Sequence, residues 1–201
     1  MSDNLHTFLQ SRRSIRRFLP DPIPADVLDR ILTTATFAPS AHNFQPWRFV
    51  VLVTQESRSK LITNLGGKFR HDMTADGMPA MKIRARIERT SQRIREAPTI
   101  IVLCQDLTQV NPQVDKGRML AELKMGAQSI AIAGLQILLA AHVEGIGGTW
   151  ICWPIFAPEE TRQALNLLQD WEPQGMVFLG YPAEKPAVPK RIPLENIVFY
   201  K

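Results

Sequence analysis

The sequence predicts an α+β fold in which helices flank one central sheet, within a single domain that spans residues 1–201. Three observations favour this class. Apolar patterns indicate about four strands and five or six helices. The chain opens without the regular strand–helix alternation of a parallel sheet. The tail from 182 to 201 holds four prolines and no helical pattern, so we expect it to wrap another surface.

Two helices and one strand are predicted in the first part of the chain. Apolar residues at helical spacing predict a helix near Leu5–Leu9 and a second helix from Pro24 to Ala35, with a proline-rich break between them. The apolar run 47–53 predicts a strand, and a further helix is expected near 56–65.

The later elements follow from the same patterns. Glycines and mixed charges predict an exposed excursion from Gly66 to Pro79. Isoleucines at helical spacing then predict a helix whose basic residues lie mostly off the apolar stripe. The remaining predictions are a strand at 99–104, a helix at 116–142, a strand at 147–152, a helix at 158–168, a strand at 175–180 and a strand-like end at 197–200.

The net charge of +5 favours anionic partners without identifying one. The positive residues concentrate at 12–17, 82–95 and 185–191. No zinc-finger spacing, RNA-binding aromatic motif or helix-turn-helix accompanies them, so we expect no nucleic-acid partner.

The uncharged stretch from Met125 to Val143 is long enough to cross a bilayer. Gln128, Ser129 and Gln136 interrupt it, and its ends lack aromatic residues. We therefore expect a buried core helix or an oligomer interface, and no membrane partner.

Cys104 and Cys152 both follow apolar residues, which favours reduced thiols over a disulfide framework. The first residues show neither a basic segment nor the apolar segment of a secretory signal. These two features together predict a cytoplasmic protein.

No motif for a metal, a P-loop or a serine nucleophile is present, and the four histidines are scattered. We therefore expect neither a metal site nor a catalytic side chain. A bound organic cofactor would explain this pattern, because the cofactor then supplies the reactive atoms.

Two segments are candidates for holding such a cofactor: R-R-S-I-R-R-F at 12–18 and A-P-S-A-H-N-F-Q-P-W at 38–47. Arginine forks bind phosphate bidentately, so the first segment predicts phosphate and ring-edge ligands; the alternative is a basic loop that pairs with acidic neighbours. Asn43 and Gln45 could bind the amide-like edge of a heterocycle, or could simply bond to backbone in a turn.

These segments, together with G-I-G-G-T-W-I and the late P-K-R-I-P, resemble the FMN-dependent nitroreductase family over nearly the whole chain. The resemblance implies a central mixed sheet flanked by helices. It also implies a homodimer with two FMN sites at the subunit interface, in which the C-terminal tail wraps the partner subunit.

The resemblance further implies which residues bind FMN. The arginine segment would hold the phosphate, the ribityl chain and the pyrimidine edge, with Arg16 near the N1–C2 carbonyl. A second subunit would contribute the loop that begins at Pro39. The end of the strand at Trp150 would offer backbone amides, and a late basic pair would bind phosphate. The full set is Arg12, Arg13, Ser14, Arg16, Pro39, Ser40, Ala41, Asn43, Gln45, Trp150, Ile151, Cys152, Trp153, Lys190 and Arg191.

The implied activity is a ping-pong transfer of hydride from NADH or NADPH, through flavin N5, to a small-molecule acceptor such as a nitro compound or quinone.

D-G-M-P at 76–79 and D-W-E-P-Q-G at 170–175 also resemble the reductase half of the bifunctional deazaflavin-coenzyme gamma-glutamyl ligase. One alternative is therefore the reduction of a deazaflavin-coenzyme precursor. The other is an FMN-binding protein without turnover. The basic helix is either a solvated face or a lid for an anionic substrate.

Overall fold

The computed structural model describes the backbone of residues 2–201 and the side chains of residues 4–201. The helices and strands of this part of the chain are α1 (Ser2–Ser11), α2 (Ala25–Ala35), β1 (Trp47–Val51), α3 (Gln55–Ala75), α4 (Ala80–Glu96), β2 (Thr99–Asp106), α5 (Lys116–Val143), β3 (Gly147–Ile151), α6 (Trp153–Phe156), α7 (Pro158–Leu165) and β4 (Trp171–Gly180).

The strands form one sheet in the order β1-β2-β4-β3, and each neighbouring pair is antiparallel. The predicted α+β class is confirmed. The resemblance implies a mixed sheet, with parallel and antiparallel pairing. In the described residues, parallel pairing is limited to one bridge, between Ser14 and Gly148 on the outer edge of β3. The segment after α1 thus extends the sheet by a short additional pairing.

The strand β2 is buried along its whole length because helices cover both faces of the sheet. Side chains alternate along a strand. Ile101 and Leu103 therefore lie in the core that contains residues of α2 and α5, while Ile100 and Val102 lie in the core that contains residues of α3, α4 and α7. The result is a three-layer arrangement with β2 and β4 at its centre.

The predicted excursion at 66–79 is wrong for most of its length, because α3 continues through Gly66 and Gly67 to Ala75. Thr54 caps the start of this helix by accepting a hydrogen bond from the Ser57 amide at 3.1 Å. Only a short turn, with Gly77 in the left-handed conformation (φ 72°), separates α3 from α4. The two helices pack against each other, and this packing offsets the low helix propensity of the glycines.

Two further differences lie near the C-terminus. β4 begins at Trp171, four residues earlier than predicted, and the predicted strand-like end at 197–200 is not a strand. The tail beyond Gly180 is extended, and nearly all of its side chains are exposed.

Helix α5 matches the predicted long helix. Among the described residues it is the one helix with the length and apolarity of a membrane span, and half of its most apolar stretch is buried within the fold. Its C-terminus is closed by Gly145, which takes the left-handed conformation (φ 72°) that glycine adopts readily.

Candidate functional site

The arginine segment is held along the outer edge of β3 by backbone hydrogen bonds. The Ile15 amide donates to the Gly148 carbonyl at 3.0 Å, and the Leu19 amide donates to the Tyr181 carbonyl at 2.9 Å. Ile15 can pack this closely because Gly147 has no side chain; a Cβ at that position would lie 2.7 Å from Ile15. The G-I-G-G sequence therefore permits the close approach of the arginine segment to the sheet.

The C-terminal tail lies beside the same segment. The Glu184 carboxylate accepts hydrogen bonds from the amides of Arg16 at 2.7 Å and Arg17 at 3.2 Å, and the Ala183 amide donates to the Arg17 carbonyl at 3.0 Å. These bonds fix the direction of the tail. Nothing in the local sequence around this glutamate predicted its role, because its partners are 167 and 168 residues away.

Arg12, Arg13 and Arg191 converge on two adjoining clefts of about 420 and 460 Å³. Arg12 and Arg13 line both clefts, and Arg191 lines the second. Burial lowers the pKa of Arg12, and the charges of Arg13 and Arg191 lower it further. Among the side chains of residues 4–201, none of these three arginines forms an ion pair with a carboxylate.

This cluster fits a phosphate group. Three mutually repelling guanidinium groups without counter-ions favour an anion, and their donors suit phosphate oxygens. The Gly145–Gly148 backbone, Ser11 and Lys185 also line the first cleft, as does one carboxylate, Glu184, which accepts hydrogen bonds from the amides of Arg16 and Arg17. The Ser11 hydroxyl is 2.8 Å from His142 Nε2, and Phe8 stacks on the same imidazole, so His142 joins α1 to the end of α5. Sequence reasoning did not find these contacts.

Other predicted ligands are placed differently. Ser14 is half-buried in the bridge to Gly148, and Arg16 is exposed and lines a separate cleft between the arginine segment and α3 and α4. Lys190 is exposed and lines neither cleft of the arginine cluster. The structure of one chain therefore brings together Arg12, Arg13 and Arg191, but not Arg16 or Lys190.

The loop that contains Pro39–Gln45 has an unusual backbone. His42, Asn43 and Gln45 have φ angles of 51°, 55° and 50°, in the left-handed region that side chains other than glycine rarely adopt. Each such residue stores strain of about 1–3 kcal/mol, which is typical of ligand-binding sites. The loop is anchored at Ala41, whose amide donates to Ser129 Oγ at 3.2 Å.

The side chains of Asn43 and Gln45 are exposed and bond mainly within the loop, where Gln45 Nε2 donates to Asn43 Oδ1 at 3.4 Å. Their anchor, Ser129, lies 13 residues before His142 on α5. At 1.5 Å per residue, about 20 Å of helix separates the loop from the arginine cluster. One chain therefore does not bring the two predicted halves of the site together.

Trp150 lies in a slot formed by two glycines. A Cβ at Gly134 of α5 or at Gly175 of β4 would overlap its indole ring. The indole Nε1 is 3.2 Å from Cys152 Sγ, and this cysteine is exposed rather than enclosed by apolar residues. The N–H and C=O groups of Trp150 point to the same side of β3 as those of Gly148, because backbone groups two residues apart in a strand point the same way. The N–H and C=O groups of Trp150 therefore face the outer edge of β3.

Ile151 and Trp153 lie on the other face of the sheet. Trp153 contacts Phe69 edge to face, with ring centroids 5.2 Å apart. Trp153 and Phe156 line a largely apolar cavity of about 460 Å³ between α3, α4 and α6. The end of β3 is therefore next to a space that can hold an apolar ring.

A family model described as the nitroreductase family matches residues 9–181, and the chain belongs to this family. An NADH dehydrogenase from Thermus thermophilus is 30% identical, over 94% of this chain and 92% of that protein. A Bacillus subtilis protein, YfhC, assigned as an NAD(P)H nitroreductase, is 28% identical, over 96% of this chain and 91% of that protein.

The fold agrees with solved structures. One is an FMN complex of a protein from Desulfovibrio desulfuricans assigned as a nitroreductase; it superposes with a TM-score of 0.74 and 22% identity, over 98% of this chain and 96% of that one. This likeness confirms the predicted fold, and the family model confirms the family predicted from the sequence.

Proposed function

We propose that the protein is an FMN-dependent NAD(P)H oxidoreductase that works as a homodimer with its cofactor sites between the subunits. The observation that carries this proposal is the uncompensated cluster of Arg12, Arg13 and Arg191 beside the open edge of β3. The activities and ligands named for the relatives support it: NADH or NAD(P)H for two of them, and bound FMN for the third.

The residues of the chain then have separate roles. Arg12, Arg13 and Arg191 bind the cofactor phosphate, and the peptide groups near Trp150 at the open edge of β3 offer hydrogen bonds to the ring system. Bound FMN would supply the capacity to accept a hydride from a nicotinamide and to reduce a nitro compound, a quinone or a similar acceptor. Donor and acceptor bind in turn, and no side chain is assigned to proton transfer.

A second subunit completes the site. The strained loop with Asn43 and Gln45 is anchored to Ser129 of α5, about 20 Å along the helix from the arginine cluster of its own chain. Helix α5 also exposes four large apolar side chains, Leu120, Ile132, Leu135 and Val143. Burial of these side chains against a second copy would place one loop near the other chain's cluster.

The test is a flavin spectrum followed by turnover. Purified protein incubated with FMN and desalted is expected to retain flavin absorbance, and to oxidise NADH or NADPH when a nitroaromatic or a quinone is added. Absence of retained flavin would refute the proposal. Retained flavin without oxidation of either nucleotide would instead support a flavin-binding protein without turnover.

The reduction of a deazaflavin-coenzyme precursor is the second candidate for the acceptor. It is favoured by the three exposed arginines Arg84, Arg86 and Arg89 on α4, which suit a phosphorylated, acidic substrate. Turnover of the oxidised precursor at a kcat/KM well above that of nitroaromatics would support this candidate. Equal or lower turnover of the precursor would refute it.

A further inference from the structure

A second basic cleft lies on the other side of the arginine segment. Its volume is about 570 Å³, and it is bounded by the segment itself, the start of α3 and the end of α4. Five of its lining residues are arginines and one is a carboxylate: Arg16, Arg17, Arg58, Arg93, Arg95 and Glu96. Arg93 and Arg95 form its α4 wall; they belong to the basic helix and have no role in the proposed function.

The positive charge of this cleft is only partly compensated. Arg95 pairs with Glu88 at 3.0 Å, and Arg17 reaches Glu184 only at 4.0 Å with 82% of its side chain exposed. In the described part of the chain, Arg16 and Arg93 form no ion pair. A concave cleft with an excess of one charge concentrates ions of the opposite charge.

Arg58 fixes the floor of the cleft. Its side chain is 8% exposed, and its guanidinium donates to the carbonyls of Ala97 at 2.6 Å and Pro98 at 2.8 Å. Burial lowers the pKa of this guanidinium, and no carboxylate pairs with it among the described side chains. The floor is thus a buried cation whose hydrogen bonds go to neutral carbonyls at the end of α4.

We infer that this cleft binds a phosphoryl group of a small-molecule substrate. Arginine forks match phosphate oxygens, and the cleft is bounded on three sides, as a site for a small ligand requires. The phosphoryl group has two possible sources, the 2′-phosphate of NADPH or a phosphate on the acceptor. The kinetic measurements with NADPH and NADH described below rest on the proposed function, but the measurement of pyrophosphate binding does not.

The experiment measures pyrophosphate binding by isothermal titration calorimetry. FMN-loaded protein is used so that the cofactor fills the first cluster, and the titration is repeated in an Arg12→Gln/Arg13→Gln variant, in which that cluster is weakened. In both backgrounds Arg93→Gln/Arg95→Gln is expected to weaken binding at least tenfold. Lys82→Gln, on the same helix but outside the cleft, is the matched control and is expected to change binding less than twofold.

Two calorimetric results would overturn the inference: no pyrophosphate binding in either background, or equal weakening by Lys82→Gln and by the double variant. Loss of flavin retention alone would count against the proposed function and would leave the calorimetric result valid. The source is then identified by kinetics. A double variant that loses at least tenfold in kcat/KM for NADPH but not for NADH assigns the cleft to the 2′-phosphate. Unchanged values for both nucleotides, with at least a tenfold loss in kcat/KM for a phosphorylated acceptor, assign it to the acceptor; no loss for any of the three would overturn the inference.

Discussion

Arg12 is half-buried, and its pKa is lowered first by burial and then by the charges of Arg13 and Arg191. Like charges that are held together in a partly desolvated position cost folding free energy unless a counter-ion is bound. An anion that binds the native protein recovers this cost and stabilises the fold. The arrangement therefore favours the proposed ligand site over a basic loop paired with acidic neighbours.

Replacing Arg12 and Arg191 with glutamine is expected to weaken FMN binding at least tenfold, because each charge-assisted hydrogen bond contributes about 1.5–3 kcal/mol. The measurement is a fluorescence titration of apoprotein with FMN. Lys190→Gln is the control and is expected to change affinity less than twofold, because Lys190 lines neither cleft. A larger effect of Lys190→Gln than of the double variant would contradict these assignments.

The two cysteines differ in their environments. Cys104 is fully buried, and burial raises its pKa to about 12, whereas Cys152 is exposed. At pH 8 a chromogenic disulfide reagent is expected to modify one thiol per native chain and two in denaturant. Cys152→Ser should leave no reactive thiol in the native protein; a remaining fast-reacting thiol would contradict the burial of Cys104.

The raised pKa of Cys104 makes the stability of the fold depend on pH. Above pH 9, the ordinary pKa of the thiol, the unfolded chain releases the Cys104 proton while the folded chain keeps it. The free energy of unfolding is therefore expected to fall between pH 9 and about 12. Cys104→Ala should flatten this part of the profile, measured by urea unfolding.

At the scale of elements, β3 depends on residues from three other elements: Ile15 of the arginine segment, Gly134 of α5 and Gly175 of β4. The two glycines make room for the Trp150 ring, while Gly147 lets Ile15 approach. The outer edge of β3, whose peptide groups are the candidate hydrogen-bond donors, is thus positioned by three glycines that leave room for Trp150 and Ile15.

Gly134→Ala is expected to destabilise the protein by about 1–3 kcal/mol, because the added methyl group overlaps the Trp150 ring and forces it to move. Gly67→Ala is the matched control within a helix. A Cβ there meets nothing within 4 Å, so the substitution should stabilise by about 0.5–1 kcal/mol through helix propensity. Thermal unfolding measures both, and equal effects would contradict the packing assigned to Trp150.

Arg58 connects α3 to the end of α4 through its bonds to Ala97 and Pro98. Arg58→Met is expected to cost about 2–3 kcal/mol, because buried carbonyls lose charge-assisted hydrogen bonds. Arg70→Met, at an exposed position of the same helix, should stay within about 0.5 kcal/mol. Urea unfolding of the two variants compares them directly, and a loss below 1 kcal/mol for Arg58→Met would contradict the role.

At the scale of the whole molecule, exposed apolar surface is concentrated on α5 and on the tail. Ile132 and Leu135 of α5 are 41% and 49% exposed, and Ile192 and Phe199 of the tail are 67% and 78% exposed. Exposed apolar residues grouped in this way are typical of surfaces that bind another protein. The proposed second copy would cover them, and the predicted wrapping of the tail remains a prediction.

Ile132→Asp/Leu135→Asp is expected to convert a dimer to a monomer in analytical ultracentrifugation and to lower FMN retention at the same time, since each site needs both chains. Val114→Asp is the control, because Val114 is 99% exposed in a loop before α5. A dimeric double variant, or a monomer that retains FMN fully, would contradict a site between subunits.

Part of the fold could be predicted from the amino-acid sequence alone. The apolar stripes of α2, α4 and α5 and the run of β2 predicted those elements because local periodicity reports which face is buried. The extension of α3 through Gly66 and Gly67 could not be predicted in that way, because packing against α4 outweighs the propensity of the glycines. The early start of β4 likewise depends on pairing with β2.

The sequence by itself determined the family and the order of most elements, because motifs and periodicity are local properties of the chain, and it singled out the arginine segment as the proposed centre of a cofactor site. Only the tertiary structure decided that Arg191 joins Arg12 and Arg13 while Arg16 faces a different cleft, and that Glu184 ties the tail to the arginine segment. The contacts of Arg191 and of Glu184 join residues about 170 or more positions apart, and no local pattern records such pairings.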